Sequence, residues 1–159
     1  MRIVLDTNIL VRASAKAKGP ARELFLLIVN SPEHVLLLSP FILRELERVF
    51  EYPRVRSATK LTDGEVTEYL GYIGSGEVSE MVFPGPAPRV VPSDADDDAI
   101  VHTAVGGRAE ILCTLNRDFY HTSVLEYCGT RGVLIGTDVD VLNLLRGNPG
   151  RAGAKGSQV

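Results

Sequence analysis

The chain has 159 residues, of which 45% are hydrophobic and 23% charged, with a formal net charge of −3 and a pI near 5.6. That balance gives one globular domain, burying roughly two thirds of its unfolded surface. It excludes a membrane-spanning helix, because no apolar run approaches the ~18 residues needed, and a broad positive field for nucleic acid, which needs an excess of Lys and Arg.

The N-terminal run Arg2 to Asp6 reads as a buried strand ending in an acid rather than as a secretory signal. Cys113 and Cys128 have no metal-binding spacing, so free thiols in a cytoplasmic protein are expected. After Asp6, Thr7 and Asn8 can cap the adjoining segment. Gly19-Pro20 breaks the chain and opens a helix over residues 21–29, which Ser31-Pro32 ends. Residues 34–39 form a second buried strand. Ser39 and Pro40 then supply the N-cap and first position of a helix whose apolar stripe is Ile42, Leu46, Val49 and Phe50. Pro53 is expected to stop it. Thr62 to Ile73 is a further helix, with Thr62 and Glu65 spaced as a capping box.

The proline- and glycine-rich stretch Pro84 to Pro92 reads as a connection. A short strand is expected near Glu80 to Phe83, and extended chain at Arg89 to Val91. Asp94 to Asp98 lead into a helix ending at Gly106-Gly107. Residues 110–114 and 133–136 are strands, Asp138 to Leu145 is a closing helix, and residues 147–159 hold almost nothing to bury and read as a disordered tail. Strands alternating with helices give an α/β fold: a parallel β-sheet with helices on both faces, in three α/β/α layers. Such sheets bind ligands beyond the C-terminal ends of their strands, where Asp6 and Asn116 fall.

Acidic residues carry the functional signal, each beside a plainer role. Asp6 can cap the next helix. Glu45 sits at the edge of the apolar stripe, where a carboxylate is costly unless paired or bound to metal; Arg44 and Arg48 are the available ion-pair partners. Asp94, Asp96, Asp97 and Asp98 suit a helix N-terminus, yet capping needs only one or two of them. Asp97 is in phase with Ile100, Val101 and Ala104, whereas Asp98 is rotated by about 100°. Asp97 is therefore the choice, with Asp98 and Asp94 in reserve. Asn116, in the loop Thr114 to Phe119, can be a simple turn residue. Together these acids offer the hard oxygen ligands that Mg²⁺ prefers, and bound divalent ions can drive phosphodiester hydrolysis. His34, His102 and His121 read as structural. There is no glycine-rich nucleotide loop and no serine-hydrolase elbow.

In sequence order, residues 3–10 (IVLDTNIL), 38–46 (LSPFILREL), 94–104 (DADDDAIVHTA) and 111–119 (ILCTLNRDF) resemble the PIN-domain family over residues 1–146. Residues 38–55 are especially similar to VapC-like toxin components of toxin–antitoxin pairs. The resemblance implies an endoribonuclease that cuts single-stranded RNA with Mg²⁺ or Mn²⁺. It implies catalytic acids at Asp6, Glu45 and Asp97. The family's fourth acidic position falls on Asn116, and Asp118 can supply that carboxylate instead. The metal set is thus expected among Asp6, Glu45, Asp97, Asn116 and Asp118, with Thr7, Asn8, Asp98 and Thr114 as supporting or substrate-side groups. Arg12, Lys16, Lys18 and Arg117 are candidate guides for the RNA backbone. The resemblance also implies an antitoxin partner, which would place a basic segment near the acids, and a homodimer. A PIN module that binds RNA or protein without cutting is the alternative, and Asn116 is the feature that points to it. A phosphatase or DNA nuclease on similar acids is a third reading.

Overall fold

The computed structural model describes residues 1–147, and the expected tail at 147–159 lies almost wholly outside them. Five short strands build the centre: β1 (Arg2–Leu5), β2 (Val35–Leu38), β3 (Ser79–Met81), β4 (Ile111–Cys113) and β5 (Leu134–Gly136). They form one parallel sheet in the order β3-β2-β1-β4-β5. Ile3, Val4 and Leu5 of β1 and all three residues of β4 are fully buried, as expected for parallel strands covered on both faces.

Among the described residues eight helices connect and cover the strands: α1 (Thr7–Arg12), α2 (Pro20–Asn30), α3 (Pro40–Phe50), α4 (Pro53–Thr59), α5 (Asp63–Ile73), α6 (Ala95–Gly106), α7 (Thr122–Gly129) and α8 (Asp138–Leu145). The path β1-β2-β3 crosses the sheet one way, and β3-β4-β5 crosses it the other. Right-handed crossovers therefore place α1 to α5 on one face and α6 and α7 on the other. The last helix, α8, returns to pack on α2. This is the three-layer α/β/α arrangement expected from the alternation of elements.

Local chemistry explains most boundaries. Ser39 caps α3, its Oγ accepting the Ile42 N–H at 3.3 Å, and Pro40 fills the first helical position. Thr62 and Glu65 form the capping box of α5, and Thr137 and Asp140 form a second one on α8. Pro53 does more than end α3. It opens α4, because a missing N–H costs nothing at a first helical position. A 3₁₀ turn (Arg117–Tyr120) stands in the expected loop, and α7 follows it in a stretch for which the sequence suggested no element. Arg89 to Val91 belongs to no strand; the Val90 and Val91 amides are bound by the Asp98 carboxylate at 2.8 and 2.7 Å.

Beneath the helical layer formed by α2, α3 and α5, Tyr69 meets Phe25 and Phe50 edge-on, with ring centroids 6.0 and 6.1 Å away. Its hydroxyl donates to the Leu10 carbonyl at 2.7 Å, tying α5 to α1. Both cysteines are buried and free. No helix among the described residues is long and apolar enough to cross a membrane.

Candidate active site

The strand order places a crevice above β1 and β4. From β1 the chain leaves toward β2 on one side, while β4 lies on the other, so the strand order reverses at this point. Asp6 directly follows β1 and Thr114 directly follows β4, and the Asp6 N–H donates to the Cys113 carbonyl at 2.9 Å. A cleft of about 260 Å³ opens there. Its acids are Asp6, Glu45, Asp94, Asp96 and Asp97, with Thr7, Asn8, Arg48 and Asn116 among its other walls.

Asp6 is only 7% exposed. One carboxylate oxygen accepts the Thr7 N–H at 2.7 Å, which is its capping role, and the other accepts the Thr114 hydroxyl at 2.7 Å. Burial pushes its carboxyl above the usual range. The two hydrogen bonds oppose that rise, and the charge of Glu45 adds to it. One oxygen of the side chain thus serves as the cap of α1, while the Thr114 hydroxyl holds the other at the cleft.

Glu45 reaches the cleft from α3. Arg48, one turn on, donates from one nitrogen to both carboxylate oxygens at 2.7 and 2.8 Å. Of the two arginines flanking Glu45, Arg48 is thus the partner, and it lines the cleft with Glu45. Asp97 enters from the first turn of α6. Burial, followed by the charges of Asp94, Asp6 and Asp118, pushes its carboxyl up to about 7, against a hydrogen bond from Asn116. Asp94 caps α6 by accepting the Asp96 N–H at 2.9 Å.

Asn116 works at both ends of its amide. Its nitrogen donates to Asp97 at 3.2 Å, while its oxygen accepts the Asp118 N–H at 3.0 Å and caps the 3₁₀ turn. Asp118 does not line the cleft, yet its charge is felt at Asp97. Asp98 also lies outside the cleft lining. It is buried beneath the 84–92 connection, bound to the Val90 and Val91 amides and ion-paired with Arg89 Nε at 2.7 Å. Burial raises its pKa, but the Val91 and Val90 amides and the Arg89 guanidinium outweigh it and hold the carboxyl below the usual range.

The basic candidates lie elsewhere. Lys16 is held by Glu65 and the Lys60 carbonyl, both at 3.0 Å. Arg12 and Lys18 line a separate hollow near α2, and Arg117 is exposed on the 3₁₀ turn. Two cleft features escaped sequence reasoning: the wall residue Phe41 and the exposed acid Asp96. Asp96 lay in view within the acidic run, but helical phase gave no reason to choose it.

The donor set fits a divalent cation. Thr7 Oγ1 and Asn8 Oδ1 are buried beside Asp6 without a hydrogen-bond partner among the described residues, and unpaired buried oxygens are costly unless something binds them. Mutually repelling carboxylates surround them, and every candidate ligand is a hard oxygen, the type Mg²⁺ and Mn²⁺ take. Among the described residues no three acidic, histidine or cysteine side chains already converge to ligand distance. Glu45 faces Arg48 instead.

Comparison with known proteins agrees with this geometry. A family model described as PIN domain matches residues 2–118, a span from β1 to just past β4 that includes Asp6, Glu45, Asp97, Asn116 and Asp118. No curated protein and no solved structure matches the chain. The matched span, the parallel sheet and the acidic crevice above its central strands agree: the chain belongs to the PIN domain family, whose members are generally nucleases.

Proposed function

We propose that the protein is a divalent-metal-dependent endoribonuclease that cuts single-stranded RNA in the cleft above β1 and β4. One observation carries this reading: Asp6, Glu45 and Asp97, brought from three separate elements, face one cleft together with the unpaired oxygens of Thr7 and Asn8. Asp6, Glu45 and Asp97 would hold Mg²⁺ or Mn²⁺, with Asp118 or Asn116 completing the set. When bound, the ion lowers the pKa of water and neutralises charge on the departing oxygen.

The chain's own groups prepare that site. Thr114 and the Thr7 amide fix both oxygens of Asp6, so the carboxylate keeps one orientation. Asn116 orients Asp97 through a bond that an aspartate at that position could not donate, and Asp118 adds negative charge from behind. Arg48 balances Glu45 and stands where a phosphate oxygen can meet its free nitrogens. A toxin role, with an antitoxin partner and a homodimer, extends the same reading and rests on the resemblance of residues 38–55.

The test is cleavage of a labelled mixed-sequence single-stranded RNA by wild type and Asp6→Asn, each with Mg²⁺, Mn²⁺ or EDTA. Wild-type cleavage that disappears with EDTA and in the variant is expected. Full cleavage by Asp6→Asn would refute the mechanism. A folded wild type that cuts nothing would favour the second reading, a PIN module that binds without cutting, to which the neutral Asn116 at the fourth acidic position points.

A further inference from the structure

Beside the acidic cleft lies a second hollow, of about 480 Å³, with a different character. Phe41 lines both, so the two lie on either side of one ring. The outer wall is the 84–92 connection and the inner wall is α6. Phe83, which follows β3 at the C-terminal edge of the sheet, is 77% exposed, more than any other large apolar side chain among the described residues. An aromatic ring left so open loses the benefit of burial and gains it back only when something covers its face.

The hollow carries positive charge in a chain that is net negative. Arg44 projects from α3 and has no ion-pair partner among the described residues. Arg89 is held in the opposite wall by Asp98, which grips Nε and leaves much of the guanidinium exposed. The wall itself is pinned three times over, by Asp98 to the Val90 and Val91 amides and by the His102 ring to the Pro88 carbonyl at 2.8 Å. The hollow is therefore built before any ligand arrives.

We propose that this hollow is a binding subsite for the single-stranded RNA flanking the cut, with a base stacked on Phe83 and backbone phosphates met by Arg44 and Arg89. This rests on the nuclease reading above for its substrate class. An aromatic face beside separated cations is the pattern that holds single strands without reading their sequence, because every base has a stacking face. Apolar contact alone would suit many partners. The two arginines, adjoining a cleft whose substrate is a polyanion, favour the nucleic acid.

Fluorescence anisotropy tests it, using a labelled single-stranded RNA of roughly ten nucleotides, long enough to span cleft and hollow. Ca²⁺ replaces Mg²⁺ or Mn²⁺ so that binding is read apart from cutting. Phe83→Ala is expected to weaken binding about tenfold or more. Arg44→Ala should flatten the dependence of log K on log salt by about 0.7, the loss of one phosphate contact on a single strand. Leu134→Ala, an exposed apolar residue on the far strand β5, is the control and should bind like wild type. Wild-type affinity and salt slope in both groove variants, or no binding by wild type, overturns the proposal; unchanged RNA binding would give the hollow to a protein segment instead. The two readings fail separately. Cleavage in Mn²⁺ with unchanged groove-variant binding removes only the subsite, and groove-dependent binding without cleavage removes only the nuclease.

Discussion

Asp97→Asn should make the metal-free protein more stable at neutral pH. In the folded chain the Asp97 carboxyl is pushed from 3.8 up to about 7, first by burial and then by Asp94, Asp6 and Asp118. The folded state thus binds a proton more tightly than the unfolded state. Stability from this group is full below about pH 4 and is lost as pH rises toward about 7. In a fully dry site such a displacement would correspond to roughly 4 kcal/mol; Asp97 is only half-buried, and solvent screening reduces the expected effect to about 1–2 kcal/mol. Asparagine keeps an oxygen for the Asn116 bond and removes the charge. Urea unfolding in EDTA at about pH 8 and about pH 5 reads the difference directly. The variant should exceed wild type by that amount at the higher pH, and the gap should narrow at the lower one, closing only below about pH 4. Added Mn²⁺ should stabilise wild type more than the variant. Equal stability at the higher pH, or a gap of the same size at both, would refute the reasoning.

Two further outcomes test other parts of the molecule. Thr114→Val removes the hydroxyl that donates to Asp6 Oδ2; metal affinity measured by calorimetry should fall about 10- to 100-fold, as when a partner that orients a ligand is lost, and retained affinity would show that Asp6 needs no such support. Gly107→Ala should lower stability by roughly 1–3 kcal/mol through overpacking, because a Cβ there would lie 2.8 Å from Val82 Cγ2 and 3.0 Å from the Thr103 carbonyl; a thermal midpoint equal to wild type would mean that the β3 edge gives way freely.

The fold was legible because its signals are local. Apolar runs ending at Asp6 and Cys113, proline at first helical positions and the Thr62–Glu65 box each act within a few residues. The same locality explains the misses. Pro53 carries two meanings, stop and start, and only the chain beyond it decides between them. Helical phase put Asp97 on the inward face and Asp98 away from it; Asp97 lines the cleft half-buried, and Asp98 is the more deeply buried of the two. Phase could not say which segment would cover Asp98, because the connection that buries it is irregular and placed by tertiary contacts. The Thr114 to Asp6 bond joins residues 108 apart and depends on β1 and β4 being neighbours. The Arg48–Glu45 pair stood as one of two options, and side-chain geometry chose between them.

That pair has a consequence for how the cleft is charged. A pocket of carboxylates with no counterion would resist closing during folding. Arg48 brings its own cation, one helical turn from Glu45, so the acidic cleft can assemble without waiting for a metal. If a divalent ion binds at Glu45, loading would be an exchange in which the Arg48 guanidinium gives way to it. Such competition would disfavour K⁺ and Na⁺, whose lower charge density gains less from a carboxylate than a divalent ion does. The same step would free Arg48 to meet a polyanion.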